Sequence, residues 1–306
     1  MMDSIQKSLL EQVAGIHNIP NGAYSIRING QLDSKASSEN IQIDKKSDKP
    51  GIDIHIKPGT KNESVHIPVI MSQTGLKELV YNDFFVGDDC DVTIVAGCGI
   101  HNGGGQDSDH SGIHRFFIGK NAHVKYIEKH YGEGDGSGKR VMNPTTECTV
   151  GEGSFMEMET AQIKGIDSTS RVTKAKLGDK ARLEIHEKIM THGSQHAQTD
   201  FMVDMDGVDC SAHVVSRSVA KDNSSQLFIS NMNGNNRCHG RTECDAIIMD
   251  NASVGSIPKI YANNIDASLV HEAAIGKIAG EQLTKLMTLG LTEKQAEEQI
   301  INGFLK

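Results

Sequence analysis

The chain has 306 residues, of which 37% are hydrophobic, 23% are charged and 4% are aromatic, with 31 glycines and no tryptophan. Such a core of aliphatic and small residues with frequent turns is typical of a coiled or repeated β architecture. The net charge of −9 argues against nucleic-acid binding, because proteins that bind nucleic acids usually carry a basic stripe. No apolar run reaches the roughly 18 residues of a membrane span, and the first residues lack a signal-peptide core, so we expect a cytoplasmic protein.

The cysteines are scattered, and no two of them form a CxxC pair. They are Cys90, Cys98, Cys148, Cys210, Cys238 and Cys244. Zinc ribbons and ferredoxin-like clusters need local pairs of cysteines, so the sequence predicts neither kind of site. In a reducing cytosol most of the six should be buried free thiols.

The N-terminal part predicts one helix followed by strands. Over residues 3–14 the apolar side chains have helical spacing, and Gly15 ends the pattern, which indicates a short helix packed on the body. From Tyr24 onward apolar and polar residues alternate between Gly, Pro and Asn breaks, which is typical of strands. The polar segment 34–50 reads as an exposed connection or an edge.

A Gly–turn–strand pattern recurs along the middle of the chain. Its leading glycines are Gly87, Gly119, Gly151 and Gly178, which are 32, 32 and 27 residues apart. Such periods mark architectures in which each unit stacks on the last. Because the units contain strands, the pattern predicts a parallel β-solenoid, and its uneven period argues against a strict hexapeptide helix.

Two glycine-rich segments invite a functional reading. Segment 97–114 contains histidines and aspartates that suggest a metal site, although its glycine content favours a mobile loop; these residues are His101, Asp107, Asp109, His110 and His114. Segment 130–140 lacks the spacing of a phosphate-binding loop, so we interpret it as a solvated turn.

The last forty residues predict helices. The first, capped by Asp266 or Ser268, would run through LVHEAAIGKIA, and the second ends on Gly290. Thr292 opens the third in a capping-box pattern. An apolar stripe on that third helix either caps the core or docks a partner; its members are Ala296, Ile300, Ile301 and Phe304. We divide the chain into an N-terminal part (1–75), a β-helix core (76–265) and a C-terminal helical segment (266–306).

The end of the chain, from TECDAIIMD through SLVHEAAIGKIAGEQLTKLMTLGLTEKQAEEQIINGFL, resembles the SufB/SufD family of iron–sulfur cluster assembly proteins. The resemblance implies a right-handed parallel β-helix core, with a short N-terminal helix and a C-terminal helical segment. It further implies a non-enzymatic scaffold on which a transient iron–sulfur cluster is built before transfer to apoproteins. The implied partners are a sulfur donor protein, an ABC-type ATPase (SufC-like) docked on the C-terminal helices, and a second family subunit.

By position, the resemblance implies roles for four residues. Cys244 matches the family cysteine implicated in ligation of the nascent cluster, and Glu272 with His271 matches the acidic and imidazole pair facing it. Cys98 matches the cysteine that receives sulfur. The chain departs from the family in its length, which is shorter than a typical SufB, and in having no arginine between Lys61 and Cys98.

The residue types suit that chemistry. Thiolates hold iron–sulfur clusters, and replacing some of them by imidazole or carboxylate favours release of the cluster. One chain offers too few thiolates, so we expect a site at the twofold interface of a homodimer, or of a heterodimer with a paralogue. Alternatively Cys244 is a plain core thiol, and Cys238 with His239 forms a further candidate pair.

Two other functions compete with the scaffold. The chain can be a structural subunit that docks the ATPase without binding a cluster itself. Parallel β-helices also include polysaccharide-processing enzymes, which need paired carboxylates and aromatic sugar platforms. The absence of tryptophan and the presence of only five tyrosines argue against such an enzyme.

Overall fold

The computed structural model describes residues 2–15 and 22–306. Its core is a parallel β-solenoid of two facing sheets, as the alternating repeat predicts. Sheet A contains, in spatial order, β2 (Gln31–Ala36), β1 (Ala23–Ile28), β5 (Lys61–Met71), β7 (Asp91–His101), β9 (His123–Glu133), β12 (Phe155–Lys164), β14 (Arg182–Thr191), β16 (Cys210–Ala220), β18 (Cys238–Ile248) and β20 (Ala267–Gly276).

Sheet B runs alongside it, in the order β19 (Ser253–Ala262), β17 (Ser225–Gly234), β15 (His196–Met205), β13 (Ser168–Leu177), β10 (Arg140–Met142), β8 (Ser108–Ile118), β6 (Lys77–Val86), β4 (Gly51–Ile56) and β3 (Ile41–Lys45). A further strand, β11 (Thr145–Val150), continues the path of β10 between β8 and β13. Each turn of the chain therefore adds one rung to each sheet.

The rungs stack in register. Strand β16 pairs residue by residue with β18, from Cys210 beside Cys238 to Ala220 beside Ile248. Among the described strands, only the β1–β2 and β3–β4 pairs are antiparallel, at the N-terminal end. Because successive side chains of a strand point to opposite faces, alternate residues of every rung enter one continuous interior.

The recurring glycines form one corner of the solenoid. The amide of Gly119 donates to the carbonyl of Val86 at 2.9 Å, that of Gly151 to Ile118 at 3.0 Å, and that of Gly178 to Val150 at 2.9 Å. Each glycine thus lies directly above its predecessor. The sequence spacing is therefore the length of one turn.

The close stacking at this corner predicts that the stability of the fold depends on its glycines. A Cβ atom at Gly151 would lie 2.3 Å from the carbonyl oxygen of Gly119, which is backbone and unable to move aside. We expect Gly151→Ala to lower the free energy of unfolding by about 1–3 kcal/mol, the usual cost of overpacking. Gly276→Ala is the control, because nothing lies within 4 Å of a Cβ there. Equal urea midpoints for the two variants would contradict the stacked-corner description.

The N-terminal helix α1 (Ser4–Ala14) agrees with the prediction. Asp3 and Gln6 form a capping box, and Gly15 ends the helix in the left-handed conformation. The buried face of α1 lies on the outer side of sheet A, where Gly97 and Gly99 of β7 make room for it: a Cβ at Gly97 would lie 2.4 Å from the carbonyl oxygen of Val13. Glycines predicted to belong to a mobile loop therefore form the seat of a helix.

The C-terminal prediction is correct for two helices and wrong for one. Helices α2 (Gly280–Thr288) and α3 (Glu293–Phe304) form as predicted, and Thr292 and Gln295 make the expected capping box. The segment predicted as the first helix is instead strand β20, paired in register with β18. Its alanine and glutamate content favours a helix locally, but the backbone hydrogen bonds and inward packing offered by β18 override that preference.

The two C-terminal helices differ in exposure. Helix α3 buries Ala296 and Ile301 within the chain, so its apolar stripe is largely covered. Helix α2 has no buried residue, and Met287 and the following Leu289 are exposed. None of the described helices is long and apolar enough to cross a membrane.

Candidate functional site

Cys244 and His271 lie on the same inward face near the C-terminal end of the solenoid. Cys244 of β18 is 1% exposed and belongs to the core. His271 of β20 pairs with Thr242, whose Oγ1 atom is 2.6 Å from His271 Nδ1. Thr242 and Cys244 are successive inward residues of one strand, so the backbones of Cys244 and His271 are roughly 8 Å apart on neighbouring strands.

Glu272 points the other way. Since His271 and Glu272 are consecutive in a strand, their side chains leave opposite faces of the sheet. Glu272 lies outside, where its Oε2 accepts from Arg241 Nη2 at 2.7 Å. The structure therefore brings Cys244 and His271 together but leaves Glu272 apart. Over residues 2–15 and 22–306, no three or more His, Cys, Asp or Glu side chains are arranged to hold a metal ion.

The surroundings of Cys244 favour the protonated thiol. Burial raises the pKa of the Cys244 thiol to about 11, and the hydroxyl of Ser256 on β19 lies against it. Burial also lowers the pKa of His271, which favours the neutral imidazole that binds metals. A metal that binds Cys244 must therefore displace its proton.

Cys238 and His239 do not extend this site. Cys238 is fully buried and stacks on Cys210 of the preceding rung, whereas His239 is exposed on the outer face. Cys238 and Cys244 share the inward face of β18, but six residues of extended strand separate them by roughly 20 Å. The pair predicted as a further candidate is thus divided between two faces and distant from Cys244.

The end of the solenoid beyond Cys244 is open. Strands β19 and β20 are the last of their sheets, so each has an unpaired edge. Large apolar side chains are exposed on these last two strands. Ile260 (40%) and Ile275 (38%) point inward, whereas Ile257 (45%), Tyr261 (51%) and Val270 (43%) point outward. We call these five residues the open-end patch. Large apolar side chains that stay exposed around an unpaired end of this kind favour an interaction surface there.

Cys98 lies deep in the interior, near the N-terminal half of the solenoid. It is 6% exposed and packs among apolar side chains that include Met71, Ile100 and Met142. Its two polar neighbours are His110, which faces it from sheet B, and His130, which is its in-register partner on β9. These two imidazoles can stabilise a thiolate, and the sequence around Cys98 supplies no other such neighbours.

Because of the two histidines, the thiol pKa of Cys98 differs from those of the other five cysteines. Burial disfavours the charged thiolate and so raises the pKa of Cys98. The effects of His110 and then of His130 are larger, and together they lower that pKa to about 7. Cys148 is also buried but has no such neighbours, and its pKa is raised to about 12. Burial likewise raises the pKa of the other four cysteines, Cys90, Cys210, Cys238 and Cys244.

A buried charge network continues from His130. Arg171 of β13 donates from Nη2 to His130 Nδ1 at 3.1 Å and pairs through Nη1 with Glu128. Its Nε lies 3.6 Å from Glu187 Oε1, and Glu187 also accepts from Ser216 at 2.7 Å. All of these side chains are at least nine-tenths buried, so each charge depends on its partner.

This network lies on a row that leads to Cys244. On sheet A the in-register inward residues are, rung by rung, Glu128, Thr160, Glu187, Ser216 and Cys244. Each is 4% exposed or less. Cys98 joins the row through His130, which is two residues along β9 from Glu128. We call this the interior polar row, and it connects the two cysteines predicted to be functional.

The histidines of this region differ from the sequence-based prediction. The glycine content predicts a mobile loop around His110 and a solvated turn around His130, but both are buried strand residues. The signal was present, because His110, Gly112, His114 and Phe116 alternate with outward residues along β8. The glycines in this segment make that alternation hard to recognise in the sequence.

Comparison with known proteins identifies the family. Residues 81–304 match the model of the SUF system FeS cluster assembly SufBD core domain. An "iron-sulfur cluster assembly SufBD family protein" of Methanocaldococcus jannaschii is 27% identical over 255 residues, which cover 82% of this chain and 79% of the relative.

More distant relatives carry the same family description. One from Methanothermobacter thermautotrophicus is 26% identical over 278 residues, covering 83% of this chain and 62% of the relative. One from Trieres chinensis is 26% identical over 208 residues, covering 64% of this chain and 42% of the relative. The chain thus spans less than two thirds of these two proteins. With the family model covering most of the solenoid and both C-terminal helices, the chain belongs to the SufBD family of iron–sulfur cluster assembly proteins.

Proposed function

We propose that the chain is a scaffold subunit on which a nascent iron–sulfur cluster is assembled at the open C-terminal end of the solenoid, between two copies of the chain. The observation that carries this proposal is the placement of Cys244 and His271 on one inward face, which they share with Ile260 and Ile275 of the open-end patch. The cluster is cargo, built there and then passed to an apoprotein.

A second copy completes the ligand set. One chain supplies one thiolate and one imidazole at this end, whereas a cluster takes four protein ligands. A twofold axis through the open end would bring two Cys244 and two His271 side chains around one centre. Mixed sulfur and nitrogen ligation holds a cluster less firmly than four thiolates, which suits a protein that must release it.

Glu272 has a lesser part in this proposal. From the outer face, and held by Arg241, it cannot join His271 at one metal without leaving its ion pair. We assign it to the partner-facing rim of the interface, where a carboxylate can reach the second copy. A paralogous family subunit in place of the second copy would preserve the same geometry.

The ATPase partner of the SUF system would dock on helix α2. The support for this assignment is that α2 buries none of its residues while α3 buries part of its stripe within the chain. Met287 and Leu289 are the apolar side chains that α2 and its C-terminal end leave exposed. In this proposal the chain is not an enzyme, and ATP hydrolysis belongs to the partner.

Sulfur for the cluster would enter at Cys98. The support is its lowered thiol pKa and its connection to Cys244 through the interior polar row. The acceptor and the assembly site then lie at two points of one buried path within a single chain.

A charged residue at the open end tests the interface. Ile260 faces inward at the last rung and is 40% exposed, so Ile260→Glu would place a carboxylate in the proposed contact. Because a buried unpaired charge costs several kcal/mol, we expect dimerisation to weaken by at least about a hundredfold and the cluster to be lost with it.

Ile163→Glu is the matched control, since Ile163 is an isoleucine of similar exposure (45%) on β12, away from the open end. Dimer dissociation is measured by analytical ultracentrifugation, and cluster content by bound iron after anaerobic reconstitution. A dimeric, cluster-loaded Ile260→Glu protein would rule out assembly at the open end.

A further inference from the structure

The interior holds an acid–imidazole–thiol arrangement around Cys98. His110 is 3% exposed, faces Cys98 from β8, and its Nδ1 lies 3.5 Å from Glu78 Oε2. Glu78 is the in-register neighbour of His110 on β6. Arg27 in turn holds Glu78, with Nε and Nη2 donating to Oε1 at 2.9 and 2.6 Å.

The imidazole of His110 lacks well-formed hydrogen bonds. Neither ring nitrogen has a hydrogen-bond partner of good geometry, nor has the Oε2 atom of Glu78. Burial disfavours a charged imidazole, but an adjacent carboxylate and an adjacent thiolate both favour its protonated form. Its surroundings therefore favour transfer of the thiol proton of Cys98 to His110.

His130 is less suited to that role. Arg171 can only donate, so its contact with His130 Nδ1 requires a lone pair on that nitrogen. A doubly protonated His130 would break this hydrogen bond. The remaining nitrogen, Nε2, is 3.5 Å from Glu128 Oε1. Burial lowers the pKa of His130 but Glu128 raises it further, whereas the contact with Arg171 requires the neutral ring, so His110 is better placed than His130 as the counter-ion of Cys98.

We propose that His110 maintains the buried Cys98 as a thiolate, with Glu78 and Arg27 as positioning residues, so that Cys98 is the nucleophile in the sulfur acceptance assigned to it above. The sulfur-accepting part rests on the function proposed above, whereas the thiolate does not. Cysteines in unrelated enzymes are activated in the same way, by a neighbouring base that a third group orients.

The sulfur transfer is redox-neutral. The Cys98 thiolate attacks the terminal sulfur of a persulfide R–S–SH, and a bond forms between Cys98 Sγ and that sulfur. The S–S bond of the donor breaks, and its electron pair leaves with R–S⁻. The terminal sulfur keeps its proton, so Cys98 becomes Cys98–S–SH and the donor thiolate takes over the negative charge that Cys98 brought.

The Cys98 thiolate and the His110 imidazolium coexist over a defined pH range. The nearby thiolate and Glu78 raise the pKa of His110 to about 10 against the effect of burial, and that of Cys98 is about 7. The thiolate therefore forms as the pH rises through about 7, and the imidazolium persists until about 10. The charged groups behind this pair are Glu128 and Arg171 on the His130 side, and Arg27 behind Glu78.

The test is the ultraviolet absorption of the thiolate, measured against pH as the difference between wild type and Cys98→Ser. This readout needs no reagent to enter the interior and no cluster to be present. We expect a midpoint near 7 in the wild type and, in His110→Gln, at least about tenfold less thiolate at neutral pH. Glu78→Gln should shift the midpoint in the same direction by less.

His114→Gln is the control for disturbance of the interior. His114 is also buried on β8, but burial lowers its pKa to about 4, so it is neutral at pH 7 and should leave the midpoint unchanged. An equal shift in His114→Gln would show that His110 acts only structurally. A wild-type midpoint above 9 would overturn the thiolate even where His110→Gln does not fold.

Exposure to cysteine persulfide tests the sulfur-accepting part. Mass spectrometry should find one added sulfur on Cys98 in the wild type and at least about tenfold slower addition in His110→Gln at pH 7. A normal thiolate titration without added sulfur would overturn the persulfide as substrate. Cluster assembly from inorganic sulfide bypasses Cys98, so its failure would count against the proposed scaffold and not against this thiolate.

Discussion

Replacing Cys244 with serine should leave a folded chain that no longer retains a cluster. Iron and labile sulfide that remain bound after anaerobic reconstitution and desalting should fall at least about tenfold, since even loss of an outer-shell partner costs roughly 10- to 100-fold in metal affinity. Serine has nearly the shape of cysteine, and the neighbouring Ser256 offers it a hydrogen-bond partner. The fold should therefore persist.

The neighbouring residues make this prediction specific. His271→Ala should lower loading as well, because His271 shares the inward face with Cys244, whereas Glu272→Gln on the outer face should lower it only slightly. Cys148→Ser removes a buried thiol elsewhere in the interior and serves as the control. If Cys244→Ser and Cys148→Ser load equally, Cys244 is not a ligand.

Removing Arg171 should have the largest effect on stability. Arg171 is 3% exposed and lies between the carboxylates of Glu128 and Glu187, each 2% exposed. Arg171→Met would leave Glu128, whose pKa Arg171 lowers against burial, without its counter-charge, and breaking a buried pair on one side typically costs about 3–5 kcal/mol. We expect a loss of that size in the free energy of unfolding, measured by urea denaturation.

Two comparisons isolate the cause of that loss. Arg182→Met removes an arginine whose side chain is 57% exposed and pairs with Glu184 at the surface, so it should cost at most about 1 kcal/mol. Adding Glu128→Gln to Arg171→Met should recover part of the stability, because one uncompensated carboxylate disappears. Equal losses for Arg171→Met and Arg182→Met would refute the description of a charge-dependent interior.

The fold was predictable from the sequence because its rules are local and repeated. The glycines from Gly87 to Gly178 recur at the length of one turn, and the strands between them alternate, which is sufficient to predict a parallel β-solenoid. Helices α1 and α3 carry capping boxes that can be recognised without a structure. The division into an N-terminal part, a core and a C-terminal segment remains a prediction.

Strand β20 shows where local patterns fail. Its alanines and glutamate favour a helix, and only the long-range pairing with β18 makes it a strand. That error also misplaced His271 and Glu272, because neighbours on a helix diverge by about 100° whereas neighbours on a strand point to opposite faces. The resemblance to the family predicts which residues form the site, but it does not predict the directions of their side chains.

The environment of Cys98 could not be read from the sequence at all. His110 and His130 are 12 and 32 residues away, and they approach Cys98 because the solenoid brings one across the interior and the other onto the next rung. Arg171 reaches the same network from a further turn. The register of the rungs determines these contacts, and register follows from turn lengths that include irregular loops.

Native mass spectrometry of the anaerobically reconstituted chain can show whether the cluster lies between two copies or within one, since it reports oligomeric state and cluster content in one measurement. The proposed scaffold predicts that the cluster-loaded species has the mass of two chains plus one cluster, and that monomers carry none. A monomer with an intact cluster would contradict assembly between two copies at the open end of the solenoid.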